Sequence, residues 1–129
     1  MIGLDSNVVV RYFVQDDHDQ ATRAASVIDG LTVAIPGFIS TVTWAEIYWV
    51  LTRTYKFNRT DVIEKLAALL NAEEIRAESP AAVAAAVFHA RRGADFADTL
   101  IDIAARHAGC TQIVTFDKRA AAKLGWRLI

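Results

Sequence analysis

Met1-Ile2-Gly3-Leu4-Asp5-Ser6-Asn7 opens the chain with a short apolar run that stops on a carboxylate, followed by two small polar residues. The pattern predicts a buried strand over 2–4 that delivers an acid at its end. In open α/β sheets, ligands collect in the crevice beyond the carboxyl ends of the strands. Asp5 is therefore a candidate active-site acid. Three further acids, Glu46, Asp98 and Asp117, stand out as its partners.

Outward from that stretch, NVVVRYFV over 7–14 has the β-propensity to extend the strand, but Asp5-Ser6-Asn7 is a triplet that stops strands and caps helices. A strand, a turn and a short helix follow. The acids of Asp16-Asp17-His18-Asp19 fall at the positive end of a helix over 20–29, where they complement its dipole. Adjacent residues diverge, so this cluster reads as surface rather than metal site. VAIPGFI over 33–39 is a second strand, with Pro36-Gly37 marking an edge or an end. Ser40, Thr41 and Thr43 are N-cap candidates for a helix running to about Tyr55, with Trp44, Ile47, Tyr48, Leu51 and Tyr55 as its apolar stripe and Glu46 beside it.

A helix over 61–71 turns Val62, Leu66, Leu69 and Leu70 inward. EIRAE over 74–78 is a short strand. Ser79-Pro80 starts a helix that reaches about Arg91 and ends at Gly93. The next helix, 95–108, closes on Gly109 and carries Asp95 and Asp98 on one face. QIVTF over 112–116 is a buried strand ending on Asp117. A short helix over 118–123 and a strand over 126–129 complete the chain. Alternating strands and helices predict a parallel or mostly parallel sheet flanked by helices.

With 129 residues, 53% of them hydrophobic, the chain is expected to be one domain spanning 1–129 with a real core. Its two prolines and six glycines are scattered, so no linker stands out. A net charge of −1 excludes bulk electrostatic binding of nucleic acid and leaves that task to local basic patches or bound metal. The single cysteine, Cys110, forbids an internal disulfide and reads as a buried, inert thiol. No basic-then-apolar leader opens the chain and no apolar run nears ~18 residues, so a soluble cytoplasmic protein with no membrane partner is expected.

Asp5 and Asp117 end predicted parallel strands, and Glu46 and Asp98 lie near helix starts at the same edge. Topology thus predicts four acids in one crevice. Carboxylates gathered there raise one another's pKa or admit a cation. A hard divalent ion such as Mg²⁺ takes oxygen ligands and is held by one or two carboxylates directly. Acids without a Cys/His set point to phosphodiester chemistry rather than zinc. Each acid also has a local explanation. Asp5 and Asp117 would cap the helices after them, Glu46 would close a capping box with Thr43, and Asp98 would pair with a base or favour its helix N-terminus. Taken together, those explanations require four coincidences at one edge. Asp102, four before Arg106, is explained by a helix ion pair, and His18, His89 and His107 lack a second ligand at helical spacing.

Four segments carry a resemblance: Leu4-Asp5-Ser6-Asn7, the helix Trp44 to Leu51 around Glu46, Asp95-Phe96-Ala97-Asp98-Thr99-Leu100-Ile101, and Val114-Thr115-Phe116-Asp117-Lys118. In this order and at these separations the chain resembles PIN-domain ribonucleases of the VapC toxin type. The resemblance implies a PIN-like α/β/α sandwich and a Mg²⁺- or Mn²⁺-dependent endoribonuclease that leaves 5′-phosphate and 3′-hydroxyl ends. Carried over by position, it makes Asp5, Glu46, Asp98 and Asp117 the catalytic, metal-binding quartet, with Asp5 and Asp98 the principal ligands. It makes Asp95, Asn7, Thr115 and Ser6 supporting residues; Ser6 stands where Thr is more usual. It also implies a homodimer and a cognate VapB-type antitoxin whose arginine enters the acidic pocket, with the apolar faces of 42–55 and 61–71, including Trp49 and Leu70, as the docking groove. Arg11, Arg53, Lys118 and Arg119 are candidates to steer the RNA backbone. Two alternatives stand beside this reading. One is a non-catalytic interaction module on the same fold. The other is an aspartate-based phosphotransfer domain, against which Asn7 stands where a phosphatase needs a second Asp and Lys118 follows an acid instead of ending a strand.

Overall fold

The computed structural model describes residues 1–129. Strand β1 (Ile2–Gly3) pairs with β2 (Gly37–Ile39), and β2 with β3 (Ile75–Ala77). β4 (Val114–Thr115) pairs with β5 (Arg127–Leu128). Every ladder is parallel, and seven helices flank the strands, as the alternation predicts for an α/β/α sandwich. They are α1 (Ser6–Phe13), α2 (His18–Asp29), α3 (Thr41–Trp49), α4 (Arg59–Asn71), α5 (Pro80–Ala90), α6 (Phe96–His107) and α7 (Lys118–Leu124).

The helices begin where capping chemistry allows. Ser40 accepts a hydrogen bond from the Thr43 N–H, Asn58 from Thr60, and Asp17 from Gln20. Each satisfies a donor that the first turn leaves without a partner. α3 continues into a π-helical turn, Val50–Thr54, in which the Tyr55 N–H reaches the Val50 carbonyl at 3.1 Å. Such turns concentrate at functional sites, and this one carries Arg53.

The core is a cluster of 22 buried side chains centred on Ile39, Trp44, Ile47, Leu51, Leu66, Val83 and Phe96. The predicted stripes of α3 and α4 supply much of it. Gly37 is needed there, because a Cβ at that position would lie 2.8 Å from side-chain carbons of both Leu4 and Leu31. The DDHD segment is surface, as expected: Asp16 pairs with Arg11, Asp17 caps α2, and Asp19 pairs with Arg23.

β1 and β4 share no hydrogen-bonded ladder, lying in parallel ladders of three and two strands. The C-terminal unit is fastened to α6 instead: the Trp126 indole N–H donates to Asp102 at 2.8 Å. Both strand ends expected to be buried are therefore left uncovered, with Ile2 44%, Val114 49% and Phe116 81% exposed. Cys110 is exposed too, because it falls in the turn after α6, ahead of the strand that was expected to bury it. No helix is long and apolar enough to cross a membrane.

Candidate active site

Asp95 is the most heavily engaged acid. It is the N-cap of α6, and its Oδ1 accepts the Asp98 N–H at 2.9 Å. Its Oδ2 accepts from the Tyr48 hydroxyl at 3.2 Å and from Arg59 Nη2 at 3.0 Å. Arg59 Nε also donates to the Tyr48 oxygen at 2.9 Å, closing a three-membered network across α3, α4 and α6. Burial pushes the Tyr48 phenol up, and Asp95 adds to the shift. With both oxygens occupied, Asp95 fixes the start of α6 and leaves ligand binding to its neighbour.

That neighbour is Asp98, one turn along. Its carboxylate is half-buried and accepts no hydrogen bond within the protein. Burial raises its pKa, Asp95 and Asp117 raise it further, and Arg53 and Arg59 pull it back. A carboxylate disfavoured in its charged form, with free oxygens, is a group that gains from an incoming cation.

Asp117 follows β4 and caps α7. Its Oδ1 accepts from the Arg119 and Ala120 N–H groups at 2.9 and 3.0 Å, so the capping explanation holds for that oxygen, while Oδ2 has no partner. Thr115 Oγ1 accepts the Asp117 N–H at 2.9 Å.

Asp95, Asp98 and Asp117 line one cleft of about 190 Å³, together with Arg53, Arg59, Arg119 and Lys123. The crevice is thus mixed in charge rather than purely acidic. Arg53 and Arg119 are two of the expected steering cations. Arg11 is not available for that role, being tied to Gln20, Asp16 and Tyr55, and Lys118 does not line the cleft. Arg59, Tyr48 and Lys123 were not legible as site residues. Arg59 meets Asp95 across 36 residues of sequence, and no local spacing announces that pairing.

Asp5 and Glu46 are not among the residues lining this cleft. Asp5 occupies the N-cap position of α1 beyond β1, but its exposed side chain makes no capping bond. Glu46 is exposed on α3 and closes no capping box, because Ser40 rather than Thr43 is the N-cap. The local explanations for both acids therefore fail, and neither acid lines the cleft that Asp95, Asp98 and Asp117 share. Ser6 and Asn7 open α1, and Asn7 lines a different hollow, with Arg11 and Arg23.

No three Asp, Glu, His or Cys side chains converge to hold one ion. A closed structural site of the zinc type is thus not built. The pair Asp98 and Asp117, with free carboxylate oxygens facing one cleft, does fit an ion of the Mg²⁺ kind, which takes one or two carboxylates and keeps its waters.

Asp102 does more than form the expected helix ion pair. It forms the predicted pair with Arg106 at 2.9 Å, but its side chain is only 15% exposed and it also holds Trp126.

The sequence model of the PIN domain matches residues 2–125. No curated protein matches the chain by sequence.

Proposed function

The chain belongs to the PIN-domain family, in general a nuclease fold, and from that premise we propose that it is a metal-dependent endoribonuclease acting as the toxin of a toxin–antitoxin pair. The observation that carries the reading is the Asp98 carboxylate, unpartnered and raised in pKa, in a cleft shared with Asp117 and four cationic side chains. Acids for an ion and bases for a phosphate in one hollow suit hydrolysis of a phosphodiester.

Asp98 and Asp117 would hold Mg²⁺ or Mn²⁺, with Asp5 and Glu46 completing the set. When bound, the ion supplies a more acidic water and charge stabilisation at phosphoryl oxygens. The protein does the rest. Arg53, Arg119 and Lys123 receive the phosphate oxygens, with guanidinium forks suited to that geometry. The Tyr48–Arg59–Asp95 network holds the first turn of α6 so that Asp98 faces the cleft. Water adds to phosphorus and the 3′-oxygen leaves, giving a 5′-phosphate and a 3′-hydroxyl.

The toxin role rests on the four segments that resemble the VapC type. That role brings a cognate antitoxin and a homodimer, and Trp49, exposed on α3 with Arg53 stacked 5.1 Å from its ring centroid, is the proposed anchor for the antitoxin. Unchanged antitoxin affinity in Trp49→Asp would remove that anchor. The enzymatic reading is tested by incubating the purified chain with single-stranded RNA. Cleavage is expected in Mg²⁺ and is expected to stop in EDTA and in Asp98→Asn. Cleavage that survives either change contradicts the reading.

A further inference from the structure

A second hollow, of about 320 Å³, adjoins the acid cleft, and Arg59 and Arg119 line both. These two side chains are the partition between them. The second hollow adds Arg91 and the acid Glu64, which neutralise each other through a two-pronged pair at 2.9 and 2.7 Å. Of the two partition cations, Arg59 is paired with Asp95 and Arg119 is unpaired. Arg59 gives Nε to Tyr48 and Nη2 to Asp95, and its Nη1 has no partner. The Arg119 side chain makes no hydrogen bond or ion pair within the protein; only its main-chain N–H is engaged, by Asp117.

Two guanidinium groups with free donors on one ridge match the planar, multi-oxygen geometry of a phosphodiester. The network with Tyr48 and Asp95 already orders one of them, so less side-chain freedom is lost when it binds. The hollow beyond is at the small end of ligand-pocket volumes, which suits one nucleotide rather than a folded RNA element. Thr60 also lines it, and its hydroxyl, without a hydrogen bond in the protein, is available to a sugar or base.

We infer that the second hollow is a subsite for the nucleotide adjoining the scissile phosphodiester, with the phosphate between the two positions gripped by Arg59 and Arg119. The inference rests on the ribonuclease reading for its substrate class. It assigns a register: the strand passes from the acid cleft over the arginine ridge toward Thr60.

The test is binding without cleavage. A fluorescein-labelled single-stranded RNA is titrated in EDTA by anisotropy over a range of salt, and its integrity is checked on a gel. For single strands the slope of log Kobs against log salt falls by ~0.7 for each phosphate that the protein no longer neutralises. Arg119→Ala is expected to lower the slope by about that amount, and Arg59→Gln likewise. Arg23→Ala, which removes an exposed cation of α2 paired with Asp19, is expected to leave it unchanged. An unchanged slope in Arg119→Ala overturns the subsite, and so does an equal fall in Arg23→Ala. Polyglutamate competing as well as RNA at equal charge also overturns it, in favour of an acidic protein partner. Cleavage in Mg²⁺ is scored separately, so a chain that binds in this register but does not cut refutes the nuclease reading and leaves the subsite standing.

Discussion

Replacing Asp102 with Ala should loosen the C-terminal unit that carries Asp117. Asp102 accepts the Trp126 indole N–H at 2.8 Å and the Arg106 guanidinium at 2.9 Å, with its own side chain 15% exposed. A hydrogen bond to a charged acceptor contributes roughly 1.5–3 kcal/mol. The exposed i,i+4 pair with Arg106 adds only about 0.3–0.5 kcal/mol. A loss of roughly 2–3 kcal/mol follows for Asp102→Ala, whereas Asp102→Asn keeps an acceptor for Trp126 and should lose about half as much. Burial alone would raise the Asp102 pKa, but the bonds from Arg106 and Trp126 outweigh it and hold the carboxyl below its ordinary value. A folded pKa below the unfolded one means stability that is fully present above the unfolded value, near 4, and is lost as pH falls through the folded value. Urea unfolding at pH 7 and pH 3, followed by tryptophan fluorescence, reads both effects. The difference between wild type and Asp102→Ala should shrink in acid. An Asp102→Ala variant within about 0.5 kcal/mol of wild type at pH 7, the range of an ordinary surface change, would refute the clamp.

Other outcomes follow from the same geometry. Asp98→Asn removes a carboxylate destabilised by burial and by two acids. It should raise stability by up to about 1 kcal/mol, an effect softened by solvent screening, while abolishing cleavage; a lower melting temperature would count against the site. The sign with pH is opposite to that of Asp102. A raised folded pKa favours the protonated fold, so this group's contribution declines as pH rises from the unfolded pKa through the folded one, and the decline should vanish in Asp98→Asn. Tyr48→Phe leaves Asp95 Oδ2 with Arg59 alone and should lower stability by about 1 kcal/mol, with RNA cleavage reduced rather than lost. Trp44 is fully buried and its indole nitrogen has no partner. Trp44→Phe should therefore shift the urea midpoint by less than other large-to-small core changes, such as Phe96→Ala at about 3–5 kcal/mol.

The legible parts of this protein are those set by short-range pattern. Ser79-Pro80 opens α5, the three- and four-residue stripe of Trp44, Ile47, Tyr48 and Leu51 is the buried face of α3, and all strand pairs are parallel. Asp98 and Asp117 could be placed from the sequence because Asp98 lies in the first turn of α6 and Asp117 is the N-cap of α7. Partnerships across the chain could not. Asp102 had a sufficient local explanation in Arg106, which hid its bond to Trp126, 24 residues on. Arg59 looked like an ordinary residue before a helix start, yet it ties Asp95 to Tyr48. Of the four acids expected in one crevice, Asp98 and Asp117 line the same cleft. The tie of the β4–β5 unit to α6 through Trp126 and Asp102 is a long-range contact that no local spacing announces.

The central claim is that the Asp98–Asp117 cleft takes a divalent cation. Isothermal titration of Mn²⁺ into the wild-type chain and into Asp98→Asn tests it most directly. Saturable heat in the wild type that disappears in Asp98→Asn is the expected result. Equal heats from the two proteins, or none from the wild type, would contradict the claim.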